Sequence, residues 1–189
     1  MEAARGRVLT AANAISFARL LGVPLFLILL FAADAPGWAV AVLAVGGTTD
    51  WVDGWVARRF GQVSRLGEIL DPAVDRLYIA ATVVAFTVEG VVPLAFTLAL
   101  IARELVMGLT LLVLRRNGFG PPPVHYLGKT ATFLLLGAFP VLLLAHVSEA
   151  ANPYAHPIGW GLAWWGIAMY WLAAALYVGQ AATATRQPA

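Results

Sequence analysis

Six apolar runs follow one another along the chain, over residues 14–33, 38–58, 68–88, 93–115, 124–147 and 158–182, each boundary read to within several residues. A helix of roughly 20 residues crosses the hydrocarbon core of a bilayer, so every run is long enough to span. The 189 residues leave no room for a separate water-soluble domain. Composition agrees: 61% of residues are apolar, 12% are charged and mean hydropathy is +0.81, where soluble domains run near half apolar and a quarter charged. This excludes a soluble fold and, equally, a disordered chain. The absence of cysteine removes disulfide scaffolds, zinc thiolates, thiol nucleophiles and iron–sulfur ligation. A formal charge of +2 is too small to imply nucleic acid as a partner. The expected fold class is an all-α integral membrane protein of six transmembrane helices. A single membrane domain covers residues 1–189, with a short N-terminal segment at about 1–12.

Charge gives the orientation. The connections at 34–37, 89–93 and 148–156 contain no lysine or arginine and carry Asp34, Glu89 and Glu149 instead. The other side collects Arg5, Arg7, Arg58, Arg59, Arg65, Arg115, Arg116 and Arg186. The positive-inside rule therefore puts both termini and the arginine-rich loops in the cytoplasm. The first run is not a cleaved signal: it is too long, Arg19 interrupts it, and Pro36 follows the small-residue triplet at 33–35. Trp38 and Trp160 sit where interfacial anchors belong.

Four aspartates lie in or beside the second and third runs: Asp50 and Asp53, then Asp71 and Asp75. An aspartate at the centre of a span costs about 2.5 to 3.5 kcal/mol, so four unneutralised ones cost on the order of 10 kcal/mol. The first pair is three residues apart and the second four, which puts each pair on one helical face. Residues 59–66 form a short cytoplasmic hinge, so the two runs make an antiparallel hairpin in which the pairs can face one another. Two facing carboxylate pairs suit hard divalent cations, which prefer oxygen ligands. Magnesium or manganese is the natural choice, with calcium chemically allowed.

The neighbouring residues suit a phosphate compound held by such ions. Gly54, one turn from Asp50, lets a flat ligand approach the helix backbone. Arg58, a further turn on, offers a fork for phosphate oxygens at the cytoplasmic mouth. Gly67 opens the third run, and Pro72 falls near its first turn, where proline is tolerated.

The spacing D-x2-D-G-x2-A-R-x8-G-x3-D-x3-D holds from Asp50 to Asp75 at every position, and it resembles the signature of the CDP-alcohol phosphatidyltransferases. The segments 13–19, 70–78, 102–105 and 127–132 extend the likeness to the phosphatidylglycerol and cardiolipin branch of that family, nearest its actinobacterial CDP-alcohol-type cardiolipin synthases. The resemblance implies that Asp50, Asp53, Asp71 and Asp75 hold two Mg²⁺ or Mn²⁺ ions on the pyrophosphate of CDP-diacylglycerol. It implies that Gly54, Arg58 and Gly67 line the nucleotide pocket and that Asp75 is the general base. The acceptor is then an anionic, glycerol-containing molecule. With phosphatidylglycerol the products are cardiolipin and CMP; with glycerol-3-phosphate the product is phosphatidylglycerophosphate. A homodimer among membrane lipids, in the bacterial cell membrane and with a cytoplasmic active site, is also implied.

An anionic acceptor needs basic side chains. Arg103, midway along the fourth run, and Lys129, at the start of the fifth, are the candidates; Arg65, Arg76, Arg115 and Arg116 are more peripheral. Arg103 has a plainer reading as the partner of Glu104 or of an aspartate, and Lys129 as a topological anchor. Asn13 and Ser16 fit a helix cap as well as a nucleotide contact, and Glu68 fits a first-turn acid as well as a metal ligand. His125 reads as interfacial. Trp51 and Trp55 read as packing, and Trp164, Trp165 and Trp171 as packing or a dimer surface. His146 and His156 fall on the opposite membrane face from the aspartates. Two rivals exist. An intramembrane prenyltransferase needs aspartate motifs farther apart than Asp53 and Asp71, and a cation transporter leaves Gly54, Arg58 and Gly67 without a role.

Overall fold

The computed structural model describes residues 11–60, 67–120 and 126–186, without the side chains of 11–16, 50–60, 67–73, 75 and 184–186. The described residues are helical apart from short connections. Helices α1 (Ala11–Phe31), α2 (Pro36–Phe60), α3 (Gly67–Val88), α4 (Leu94–Arg116), α5 (Tyr126–Val147) and α6 (Asn152–Arg186) follow in order. Among the described residues, α4, α5 and the stretch Asn152–Thr183 of α6 are long and apolar enough to cross a membrane, and Phe17–Phe31 and Arg76–Val88 are shorter apolar helices. The chain is an all-helical integral membrane protein.

Local chemistry ends these helices. Pro36 opens α2 and Pro93 caps α4, positions where a missing N–H costs nothing. After α4 the chain turns through Gly118 at φ +79, with Phe119 N–H donating to the Leu114 carbonyl, so a residue without Cβ supplies the left-handed step. Helix α6 differs from its apolar run at both ends. It starts at Asn152 because Pro153 takes a first-turn position, and the Asn152 side chain donates 2.8 Å back to the Ala145 carbonyl of α5. It continues to Arg186 because Ala181, Ala182 and Ala184 favour a helix that hydropathy no longer registers.

The core is a set of interhelical seams. Phe86 of α3 stands edge-on between Phe26 of α1 and Phe139 of α5, with centroids 6.4 and 5.7 Å away; all three rings are buried. Helix α2 packs on α1 and α5, and α4 on α6, where Phe96 meets Trp160 and Trp164 edge-on at 5.7 and 6.2 Å. Trp164 therefore packs between helices, though its outer face is open. The α5–α6 seam is the tightest. A Cβ at Gly159 or Gly166 would stand 2.9 Å from Leu142 or Leu135, the close backbone approach that small residues permit where lipid supplies no hydrophobic squeeze.

Candidate active site

The functional geometry begins where α2 touches α3. The Tyr78 hydroxyl donates to the carbonyls of Leu43 at 3.2 Å and Val42 at 3.5 Å. Its ring lies against Gly46, where a Cβ would come within 2.8 Å of Cζ. Tyr78 is buried, as are Ala39 and Leu43 on α2 and Thr82, Ala85 and Phe86 on α3.

These contacts set the phase of both helices. On α2 the inward series Ala39, Leu43, Gly46 advances by four and three residues, and the same steps continue to Asp50 and Asp53. On α3 the inward series Phe86, Thr82, Tyr78 runs back to Asp75 and Asp71 by steps of four, four, three and four. The carboxylate side chains lie outside the described residues; what is described is the helix backbone that carries them on from this contact. At 1.5 Å per residue, the backbone at Asp50 lies about 6 Å along α2 from Gly46 and that at Asp75 about 4.5 Å along α3 from Tyr78, with Asp53 and Asp71 each about 10.5 Å along. By their chemistry, four carboxylates are a donor set of the kind hard divalent ions take. Among the described residues no group of three or more potential metal ligands occurs; these four stand outside that set.

A second polar centre joins α3, α4 and α6. Arg103 is buried and donates 2.8 Å from its Nη1 to Glu104 Oε1. Its guanidinium lies over the Tyr170 ring, 3.7 Å from the centroid. The Tyr170 hydroxyl also bonds to Glu104 Oε1, and Arg76 Nε lies 3.5 Å from Glu104 Oε2. Among the described residues one carboxylate thus faces two guanidiniums, Arg103 in the bundle and Arg76 open to its surroundings. Arg103 Nε is buried without a hydrogen-bond partner. Arg76, which the sequence ranks as peripheral, shares its carboxylate with Arg103 and directly follows Asp75 in the chain. Its side chain is 66% open.

The other candidates are distributed as follows. Asp50, Asp53, Gly54 and Arg58 lie on α2 and Gly67, Asp71 and Asp75 on α3, all with side chains outside the described residues, as are those of Asn13, Ser16, Trp51, Trp55 and Glu68. His125 and Arg65 lie wholly outside. Lys129 is exposed in the first turn of α5. His146, in the last turn of α5, and His156, beside Trp160 near the start of α6, sit at the end away from the aspartates. Sequence reasoning passed over Gly46, Tyr78 and Tyr170. The steps from 39 to 53 would have revealed Gly46; nothing local to Tyr170 announces a partner 66 positions away.

Residues 9–178 match the CDP-alcohol phosphatidyltransferase family. A Streptomyces coelicolor protein named cardiolipin synthase (CMP-forming) is 49% identical over 92% of this chain and 83% of its own length. Proteins named CDP-diacylglycerol–glycerol-3-phosphate 3-phosphatidyltransferase are 32% identical in Bacillus subtilis, over 70% of this chain and 75% of theirs, and 34% in Rickettsia bellii, over 74% and 77%. By a match that spans most of its length, the chain belongs to the CDP-alcohol phosphatidyltransferase family.

Proposed function

We propose that this protein transfers the phosphatidyl group of CDP-diacylglycerol to the hydroxyl of phosphatidylglycerol, giving cardiolipin and CMP. The observation that supports it is the α2–α3 contact at Gly46 and Tyr78, about one helical turn along the chain from Asp50 and Asp75. The higher identity to the cardiolipin synthase than to the two glycerol-3-phosphate transferases favours the lipid acceptor. All six helices span the bilayer, both termini and the active site face the cytoplasm, and the protein works as a homodimer.

Asp50, Asp53, Asp71 and Asp75 would hold two Mg²⁺ or Mn²⁺ ions. When bound, such ions neutralise the pyrophosphate oxygens and favour departure of CMP. Gly54, Arg58 and Gly67 line the nucleotide side. Asp75 takes the proton of the acceptor hydroxyl as that oxygen bonds to the lipid-side phosphorus and the bond to CMP breaks. Arg103 and Lys129 bind the anionic acceptor, and the buried Arg103 Nε that has no hydrogen-bond partner supports that role for Arg103.

Purified protein given CDP-diacylglycerol, Mg²⁺ and either phosphatidylglycerol or glycerol-3-phosphate is expected to yield cardiolipin by lipid mass, with matching release of CMP. Phosphatidylglycerophosphate as the main product would overturn the acceptor assigned here. Lys129→Ala is expected to raise the acceptor KM about tenfold, as loss of one charge-assisted contact implies, with the CDP-diacylglycerol KM nearly unchanged. Equal changes in both would remove Lys129 from the acceptor site.

A further inference from the structure

Carboxylate cages choose ions by size: Mg²⁺ is held at about 2.0–2.1 Å and Ca²⁺ at about 2.3–2.6 Å. A few tenths of an ångström in helix separation therefore changes the preference. In lipid no hydrophobic force squeezes two helices together, so a side chain wedged between them bears directly on their separation. Tyr78 is such a wedge in the α2–α3 seam. Tyr78 is 3% exposed, so its ring is packed among its neighbours. It rests on the bare backbone of Gly46, where a Cβ would stand 2.8 Å from Cζ and 3.0 Å from Cε2. Its hydroxyl is pinned to the Leu43 carbonyl. Gly46 lies four residues before Asp50 and Tyr78 three after Asp75, about one turn from either carboxylate.

We propose that the Tyr78–Gly46 contact is the spacer that sets the α2–α3 separation at the aspartates, and so determines which divalent ion the site prefers. The inference rests on the ion site proposed above. Tyr78 is a positioning residue: it acts through the carboxylates and need touch no ion.

The test uses Mn²⁺ binding to the purified full-length protein in lipid nanodiscs, read by electron paramagnetic resonance of the free ion, with Mg²⁺ and Ca²⁺ as competitors. Gly46→Ala adds a methyl that demands roughly an ångström more room. It is expected to raise the competitive strength of Ca²⁺ relative to Mg²⁺ about fivefold, given the difference in ligand distance. Tyr78→Leu in the same chain removes all three clashing atoms and is expected to return the ratio to that of the wild type. Tyr78→Phe adds no volume and guards against a Gly46→Ala chain that does not fold; it is expected to move the ratio about twofold toward Mg²⁺. An unmoved ratio in the folded variants, or equal weakening of all three ions, would overturn the spacer while leaving the ion site standing. A wild-type protein that retains no Mn²⁺ would overturn the ion site and the spacer with it.

Discussion

Asp75→Asn is expected to lower turnover by about 10³-fold, the middle of the range for a positioned general base, while Mn²⁺ binding weakens but persists. The amide is nearly isosteric with the carboxylate and cannot accept the acceptor's proton. Asp50, Asp53 and Asp71 still offer three carboxylates to the ions. The check is CMP release and lipid product measured beside ion binding on the same preparation. Turnover within tenfold of wild type would place the base elsewhere, whereas loss of both signals together would make Asp75 a ligand whose removal empties the site. Asp50→Asn, which alters another of the four proposed ion ligands, is the matched control. It is expected to weaken ion binding comparably with a smaller loss of turnover at saturating metal.

Glu104→Gln is expected to destabilise the folded protein by about 1–3 kcal/mol, less than the loss at a fully buried ion pair because the Glu104 side chain is 31% exposed. Two guanidiniums lose their shared counter-charge. Arg103, with its side chain 10% exposed, bears most of the effect, because Arg76 at 66% can reorient toward its surroundings. The Tyr170 ring under Arg103 offsets a part, of order 1–2 kcal/mol. Thermal unfolding of detergent-solubilised protein checks this, and a double-mutant cycle assigns the loss. Arg103→Met in the Glu104→Gln background should recover part of the stability, since the uncompensated charge is then gone. Strict additivity of the two single losses would show that Glu104 and Arg103 do not act as a pair.

Hydropathy made the helices legible because each apolar run is long and the polar breaks between them are short. It said nothing of which helices touch. The Phe26–Phe86–Phe139 stack and the glycine seam of α5 and α6 join residues tens of positions apart, and the alternatives differ by packing, which periodicity does not encode. At the site, Asp50, Asp53, Asp71 and Asp75 stood out because carboxylates are costly in a bilayer and therefore informative. Glu104 did not, because its partners come from three helices and the sequence shows only its neighbour Arg103. Arg103 pairs with Glu104, as its plainer reading held. Gly46 was missed for another reason. Read in isolation it is a small residue in an apolar run, and its meaning comes from Tyr78 on the opposite helix.

Because Tyr78 meets α2 at Gly46, the residues between that contact and the aspartates set the rotational phase of Asp50 and Asp53 relative to it. Deleting a single residue at 47, 48 or 49 would turn Asp50 and Asp53 through about 100° about the helix axis, though every acidic side chain remained in the chain. This stretch should therefore accept many replacements by another amino acid and very few changes of length, a constraint that acts on the gene as intolerance of in-frame insertions and deletions.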